Sequence, residues 1–280
     1  MRVCLASGKG GTGKTLLATN LAVHLARSSG SVTYLDADVE EPNGFLFLKP
    51  EVEREERLTV PVPALKTGVC SGCGECQRLC AYGAVLALDD RVMVFPELCH
   101  SCGGCLIVCP EKALVEVPRE VGTLRTGRSG PLTCFEARLD VGEPRSAPLI
   151  ERLLERAPDD GIEVVDAPPG TSCSAVAAVR GADLLVLVTE PTPFGLHDLR
   201  VSVELAHRLE LRTVAVINRC DLGDAGVGEF LTTEGIPVVA EIPFRRGIAE
   251  TYAAGGLCLD RSRELSRAVR ALEREVGRAG

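Results

Sequence analysis

The sequence predicts a doubly wound, mostly parallel α/β sheet interrupted by a small inserted α+β module. Apolar runs of the kind buried on both faces of a sheet recur along the chain, each ending in turn residues or carboxylates, with helical spacing between them. Between residues 66 and 117 that rhythm gives way to eight cysteines in two identically spaced runs. The organisation read from this is a first part of the sheet domain over 1–65, an insert over 66–117 and the rest of the sheet domain over 118–280. A chain of 280 residues with 45% hydrophobic content can bury one large core and still carry a satellite module.

The first element is the apolar strand Val3 to Ala6. It leads through Gly8-Lys9-Gly10-Gly11-Thr12-Gly13-Lys14-Thr15 into a helix marked by Leu16, Leu17, Leu21, Ala22 and Leu25 and closed by Gly30. The loop fits G-x-x-x-x-G-K-[ST]. Its glycines turn backbone N–H groups inward around phosphates, Lys14 reaches the β- and γ-phosphates, and the Thr15 hydroxyl ligates Mg²⁺. The positive end of the following helix adds to the same site. Lys9 is a second lysine that such a loop does not need for its own phosphates. With it, GKGGTGKT resembles the deviant Walker A of the MinD/ParA/Mrp ATPases. The resemblance implies ATP and ADP as ligands of the stretch from Gly8 to Leu16. It also implies a homodimer in which Lys9 crosses to the partner subunit's nucleotide.

Ser31 to Leu35 reads as a second buried strand that delivers Asp36-Ala37-Asp38 at its carboxyl end, where open α/β sheets place ligands. By resemblance to the family's first switch region, Asp38 is the candidate for positioning the attacking water, with Mg²⁺ as a further role and Asp36 in support. Both acids also suit a simpler role as caps of the next helix. Glu51 to Arg57 is a charge run read as a solvated connection. Leu58 to Leu65, alternating around Pro61 and Pro63, reads as an edge strand. Val121 to Leu139, broken at Gly127 to Gly130, resembles a hairpin returning the chain to the sheet domain, and a helix follows over 147–156. Ile162 to Asp166 is a strand ending in a carboxylate, followed by Ala167-Pro168-Pro169-Gly170-Thr171. DAPPGT resembles the Walker B and second switch of the Mrp branch. That places Asp166 in the Mg²⁺ shell and turns the Gly170 amide toward a γ-phosphate.

The last sheet strands are Ala182 to Val188, Thr213 to Ile217 and Ile236 to Ile242. The second of them runs into Asn218-Arg219-Cys220-Asp221, which resembles the N-K-x-D base reader of GTPases. Adenine offers an acceptor at N1 where guanine offers a donor, so Asp221 has no such contact to make with ATP. MinD-like ATPases carry an Asn at this strand end, and on that resemblance Asn218 is the residue at the adenine.

In the insert, Cys70, Cys73, Cys76 and Cys80 share their spacing with Cys99, Cys102, Cys105 and Cys109-Pro110. Each run matches the bacterial ferredoxin pattern C-x2-C-x2-C-x3-C-P, with Ala81 in place of the first proline. In such pairs the fourth cysteine ligates the other cluster. The match therefore assigns one [4Fe-4S] cluster to Cys70, Cys73, Cys76 and Cys109, and a second to Cys99, Cys102, Cys105 and Cys80. A Cys4 zinc site is the rival reading of the C-x2-C pairs. Ala84 to Leu88 and Val92 to Phe95 flank Asp89-Asp90-Arg91 as a small hairpin.

Cys173 lies just past the second switch. In the nitrogenase iron protein, which shares the ATPase architecture, a cysteine in this neighbourhood binds a cluster shared between subunits. Cys173 is therefore a candidate ligand, the alternative being a half-buried packing cysteine. Cys4, Cys134, Cys220 and Cys258 read as packing residues, and His100 and His197 as polar surface residues.

A net charge of -8 argues against nucleic acid as a partner. No run reaches the ~18 apolar residues of a membrane span, and Met1 to Ala6 leads at once into the loop without a leader, so the expected location is the cytoplasm. The terminal helix over 262–278 has one apolar face, expected to pack on the sheet domain rather than on lipid. Taken together the chain is similar to MinD-superfamily ATPases with an inserted ferredoxin domain. This implies Mg-dependent ATP hydrolysis by a homodimer. Hydrolysis would be coupled to electron transfer, as in the nitrogenase iron protein, or to iron–sulfur or metal-cluster assembly on a client, as in Mrp carriers. The Mrp carriers' C-terminal C-x-x-C is absent here. The alternative is a MinD/ParA-like spatial-positioning ATPase whose clusters are structural.

Overall fold

Short, mostly apolar strands, buried on both faces at the centre of the sheet, form the middle of the larger of two compact units. In the computed structural model, residues 1–66, 68–89, 91–158 and 160–279 are described, Ser29 by its backbone alone. Asp90, in the middle of the expected hairpin turn, lies outside the described residues. The first unit comprises 1–56, 124–138 and 150–280, and the second 57–123 and 139–149.

In chain order the first unit begins with β1 (Arg2–Ala6), α1 (Lys14–Ser29), β2 (Val32–Asp36) and α2 (Gly44–Leu48). Then β3 (Glu51–Leu65) carries the chain into the second unit, which holds α3 (Glu75–Leu79), β4 (Val85–Ala87), β5 (Val92–Val94) and α4 (Gly104–Val108). The return runs through β6 (Leu114–Ser129) to β7 (Leu132–Leu139) and α5 (Ala147–Leu154). The rest is β8 (Ile162–Asp166), α6 (Cys173–Val179), β9 (Leu184–Thr189), α7 (Pro193–Arg208), β10 (Thr213–Asn218), α8 (Gly226–Thr233), β11 (Val238–Ile242), α9 (Arg246–Ala253) and α10 (Arg263–Ala279).

The sheet order is β11-β10-β9-β1-β8-β2-β7-β6-β3, and the pairs from β11 to β7 are parallel. Helices joining parallel neighbours cover the faces, so β9 is buried along its whole length, as its unbroken apolar run anticipates. Leu17, Leu21 and Leu25 of α1 and Leu265, Val269, Leu272 and Val276 of α10 join one core with the strands. The apolar face of α10 is thus covered by protein, as expected. No helix among the described residues is long and apolar enough to cross a membrane.

Two expectations need correction. Glu51 to Arg57 is not a connection but the first half of β3. This strand lies at the end of the sheet, so its side chains can be charged on both faces without burying a charge. The break expected at Gly127 to Gly130 is shorter: Gly127, Arg128 and Ser129 remain in β6, and only Gly130 and Pro131 separate it from β7. Within the strand, position 127 accommodates only glycine without a shift, since a Cβ there would lie 2.4 Å from the Glu51 carbonyl oxygen.

In the second unit β4 and β5 pair antiparallel with Val85 opposite Val94. Around the cysteines, the buried residues of the local core are Cys76, Val85, Val92 and Leu114. That is a small core beside the cysteines, and the unit's other buried apolar residues, such as Leu58, Val60 and Val121, lie on β3 and β6. The boundaries of this unit are wider than the span of the cysteine runs, because the ends of β3 and β6 continue into it.

Candidate functional site

The phosphate-binding loop leaves β1 between β8 and β9, so residues at the carboxyl ends of those two strands flank it. Gly13, at φ 96°, precedes α1 in a left-handed conformation, and a Cβ on it would lie 2.4 Å from Asn218 Nδ2. Gly8 is equally constrained, since a Cβ would meet the Asp198 backbone at 2.6 Å. No side chain caps α1 and no acid sits in its first turn, which leaves the first N–H groups of a 16-residue helix free for an anion.

Lys14 is 6% exposed, and its Nζ donates to Asp166 Oδ1 at 2.6 Å. Burial alone would lower its pKa; the charge and hydrogen bond of Asp166 outweigh it and hold the ammonium above its ordinary value. The Tyr34 hydroxyl donates to the other oxygen of Asp166 at 3.2 Å. Asp36 and Asp166 are register partners across β2 and β8, which brings two fully buried carboxylates side by side.

The structure separates Asp36 from Asp38. Asp36 accepts backbone N–H groups from Asp38 at 3.3 Å, Asn43 at 3.0 Å and Gly44 at 2.7 Å. Both its oxygens are used in pinning the loop and the start of α2, so its supporting role is that of a loop anchor rather than a reacting group. Burial and the neighbouring Asp166 push its pKa well above the carboxylate range. Asp38 is half-buried. Burial raises its pKa to about 6, with Lys14 opposing and Asp166 reinforcing the shift. Gly170 also departs from expectation. Its N–H donates to Ser7 O at 2.8 Å, so in this structure the amide faces the loop's own backbone instead of a phosphate position.

Lys9 lies with its Nζ 3.6 Å from Glu190 Oε2 of the same chain, and Glu190 also receives Arg219 Nη1 at 2.6 Å. Glu190 went unread in the sequence because a carboxylate after a buried strand carries no sign of which distant cation it will meet. Asn218 Nδ2 donates to Thr12 O at 2.8 Å, joining the end of β10 to the loop. A cavity of about 110 Å³ opens beside them, lined by Gly13, Leu16, Asn218, Phe244 and Tyr252 among others. Asp221 lies outside this lining and accepts the Phe244 N–H at 2.6 Å, fixing the loop after β11.

In the second unit the eight cysteines divide between two cavities. Cys70, Cys73, Cys76 and Cys109 line one, of about 10 Å³, with their thiols drawn close together. Cys80, Cys99, Cys102 and Cys105 line the other, of about 420 Å³. The division follows from local backbone. Cys76 and Cys105 lie on α3 and α4, whereas Cys80 and Cys109 are just past the helix ends in extended conformation and turn away from the third cysteine of their own run. Backbone N–H groups of Gly72, Ser101 and Ala113 donate to the sulfurs of Cys70, Cys99 and Cys109 at 3.3 to 3.4 Å. Burial first, and the neighbouring thiols next, push Cys105 up to about 11. Such thiols ionise together only when cations take up their charge. Among the described residues no group of three or more His, Cys, Asp or Glu closes around a single ion point; the sulfurs of each set share a cavity instead. Four thiols per cavity, with N–H donors on the sulfurs of Cys70, Cys99 and Cys109, are a donor set compatible with a cuboidal iron–sulfur cluster.

Of the remaining cysteines, Cys4, Cys134 and Cys258 are fully buried and Cys220 is half-buried, while Cys173, at the start of α6, is exposed rather than packed. His100 stacks on Tyr82 with ring centroids 3.6 Å apart, and His197 is exposed on α7.

Comparison with known proteins bears on the family and the fold. The family described as the CobQ/CobB/MinD/ParA nucleotide binding domain matches residues 3–257. An uncharacterised protein of Methanocaldococcus jannaschii is 26% identical over 258 residues, covering 91% of this chain and 90% of that protein. A protein of Pseudomonas fragi named iron-sulfur cluster carrier protein is 25% identical over 270 residues, covering 89% of this chain and 74% of the other. Among solved structures, the septum site-determining protein MinD of Pyrococcus horikoshii, complexed with Mg-ADP, superposes with a TM-score of 0.58 at 17% identity. It covers 100% of this chain and 98% of that one.

Proposed function

The chain belongs to the CobQ/CobB/MinD/ParA nucleotide-binding family, and from that premise we propose that it is an ATP-hydrolysing iron–sulfur protein. In this reading a homodimer couples ATP binding and hydrolysis to one-electron transfer with a partner protein. The observation that carries the proposal is the sorting of eight cysteines into two cavities, each taking three from one run and the fourth from the other. An inserted ferredoxin-like domain over 66–117 would then hold two [4Fe-4S] clusters, one on Cys70, Cys73, Cys76 and Cys109, the other on Cys80, Cys99, Cys102 and Cys105. Thr15, with Asp38 and Asp166, would hold Mg²⁺. When bound, the metal ion supplies charge to the phosphates and the clusters supply one-electron chemistry.

The chain's own residues act as follows. Lys14 leaves Asp166 for the β- and γ-phosphates, and the freed Asp166 turns to the metal shell. Gly170 exchanges the Ser7 carbonyl for the γ-phosphate, moving the segment 166–171 toward the nucleotide. Lys9 leaves Glu190 for the nucleotide of the partner subunit. Asn218 and the cavity beside it receive the adenine. Asp38, as carboxylate, accepts a hydrogen bond from the attacking water, whose oxygen bonds to the γ-phosphorus as the bond to ADP breaks.

The test is purification without oxygen, with iron, sulfide and EPR analysis with and without ATP. About eight irons per chain and two interacting four-iron signals are expected. Zinc in their place, or indifference of both signals and assembly state to ATP, would end the proposal. Lys9→Ala is expected to abolish the ATP-dependent dimer and leave the iron content unchanged, as read by sedimentation and iron assay. An Asp38→Asn chain should lose most activity, read as phosphate release, while its iron content stays unchanged.

A second reading, delivery of a cluster to a client, is favoured by relatives named iron-sulfur cluster carrier proteins at 24 to 25% identity. Delivery predicts that iron leaves with the client; electron transfer predicts reoxidation with all iron retained.

A further inference from the structure

The two cysteine cavities match in ligand count, but the runs that build them differ at several positions, one of which lies beside a sulfur-bound N–H. In the first run Cys70 and Cys73 enclose Ser71 and Gly72; in the second, Cys99 and Cys102 enclose His100 and Ser101. Gly72 and Ser101 occupy equivalent places. Both have left-handed backbone, at φ 71° and 55°, and both donate N–H to the first cysteine of their run at 3.4 Å. Glycine adopts that conformation freely, while a serine is disfavoured there. The serine's hydroxyl oxygen is also buried without a hydrogen-bond partner, although Ser101 lines the cavity of Cys80, Cys99, Cys102 and Cys105. A buried hydroxyl without a partner is costly unless something takes its proton as a donor. The cavity's own polar side chains, among them the four cysteines, His100 and Glu116, make no hydrogen bond with it, so its acceptor would be a group bound in the cavity.

Building on the two-cluster reading, we infer that Ser101 is a potential-tuning residue: its O–H donates to sulfur at the second site and makes that site the easier of the two to reduce. Hydrogen bonds to cluster sulfurs stabilise the extra negative charge of the reduced form and raise the reduction potential. The first site cannot be given the same donor. A Cβ on Gly72 would lie 2.4 Å from the carbonyl oxygens of Leu88 and Asp89, at the hairpin that follows β4. The inequality is therefore fixed by the backbone around the first run, and one electron shared between the sites resides at the second.

The experiment is an anaerobic potentiometric titration, followed by EPR, of the full chain and of Ser101→Ala and Ser101→Gly. Both variants remove the donor, one keeping the strained backbone and one relieving it. The expected result is that one of the two potentials falls in both variants by the same amount, about tenfold in the reduction equilibrium or ~59 mV for a one-electron couple, and that the other is unmoved. Thermal stability should differ between the two variants, since only glycine relaxes the backbone. Unchanged potentials, or both falling together, would overturn the role of Ser101 while leaving eight irons in the parent chain. A parent chain without eight irons would overturn the two-cluster reading and this inference with it.

Discussion

Lys14→Ala is expected to abolish ATP hydrolysis, by a factor of at least about 10² to 10³ from the loss of one preorganised donor to the phosphates. The same substitution should also destabilise the nucleotide-free chain. Lys14 and Asp166 are both buried and joined at 2.6 Å, and removing one partner of such a pair leaves an uncompensated charge, at a cost of about 3–5 kcal/mol. The two effects separate in a double variant. Lys14→Ala with Asp166→Asn removes both charges, so most of the stability should return in thermal or urea unfolding while hydrolysis stays lost. A double variant as unstable as the single one would show that Lys14 stabilises through packing and not through its pairing with Asp166.

The second large effect concerns ligand connectivity. If each cavity holds one cluster, Cys70→Ala with Cys109→Ala should spoil a single cluster and leave about four irons, the complement of one cuboidal centre. Cys99→Ala with Cys109→Ala should spoil both. Ligation within each run predicts the reverse, with the pair Cys99 and Cys109 sparing one cluster and the pair Cys70 and Cys109 sparing none. Because the local core is so small, loss of both clusters should also open the second unit to proteolysis while the nucleotide domain still resists it.

Much of this was legible in the sequence wherever the chemistry is local. The loop from Gly8 to Thr15, the carboxylates ending β2 and β8 and the cysteine spacings each carry their signal within a dozen residues. The buried strands could be read because a run such as Leu184 to Val188 has few other uses. What could not be read depends on partners far along the chain. Glu51 to Arg57 has the composition of a loop and becomes a strand because β6 offers it an edge. Asp36 looks as available for catalysis as Asp38 until the N–H groups of Asn43 and Gly44 are seen to occupy it. The hold of Glu190 on Lys9 joins residues 181 positions apart. The inequality proposed for the cysteine sites rests on Ser101 standing where the first run has Gly72, whose meaning appears only with the backbone angle and the orphaned hydroxyl.

The charged half of β3 has a consequence for how two copies can meet. Residues 51–55 are exposed, and Glu53 and Glu56 are already engaged by Arg128, Arg54 and Arg156 from their own chain. A foreign strand seeking to zip onto this flank would have to strip water from a row of ions and displace those arginines. Lateral growth of the sheet into fibrils is closed off there, and even crowded molecules are turned away from that flank.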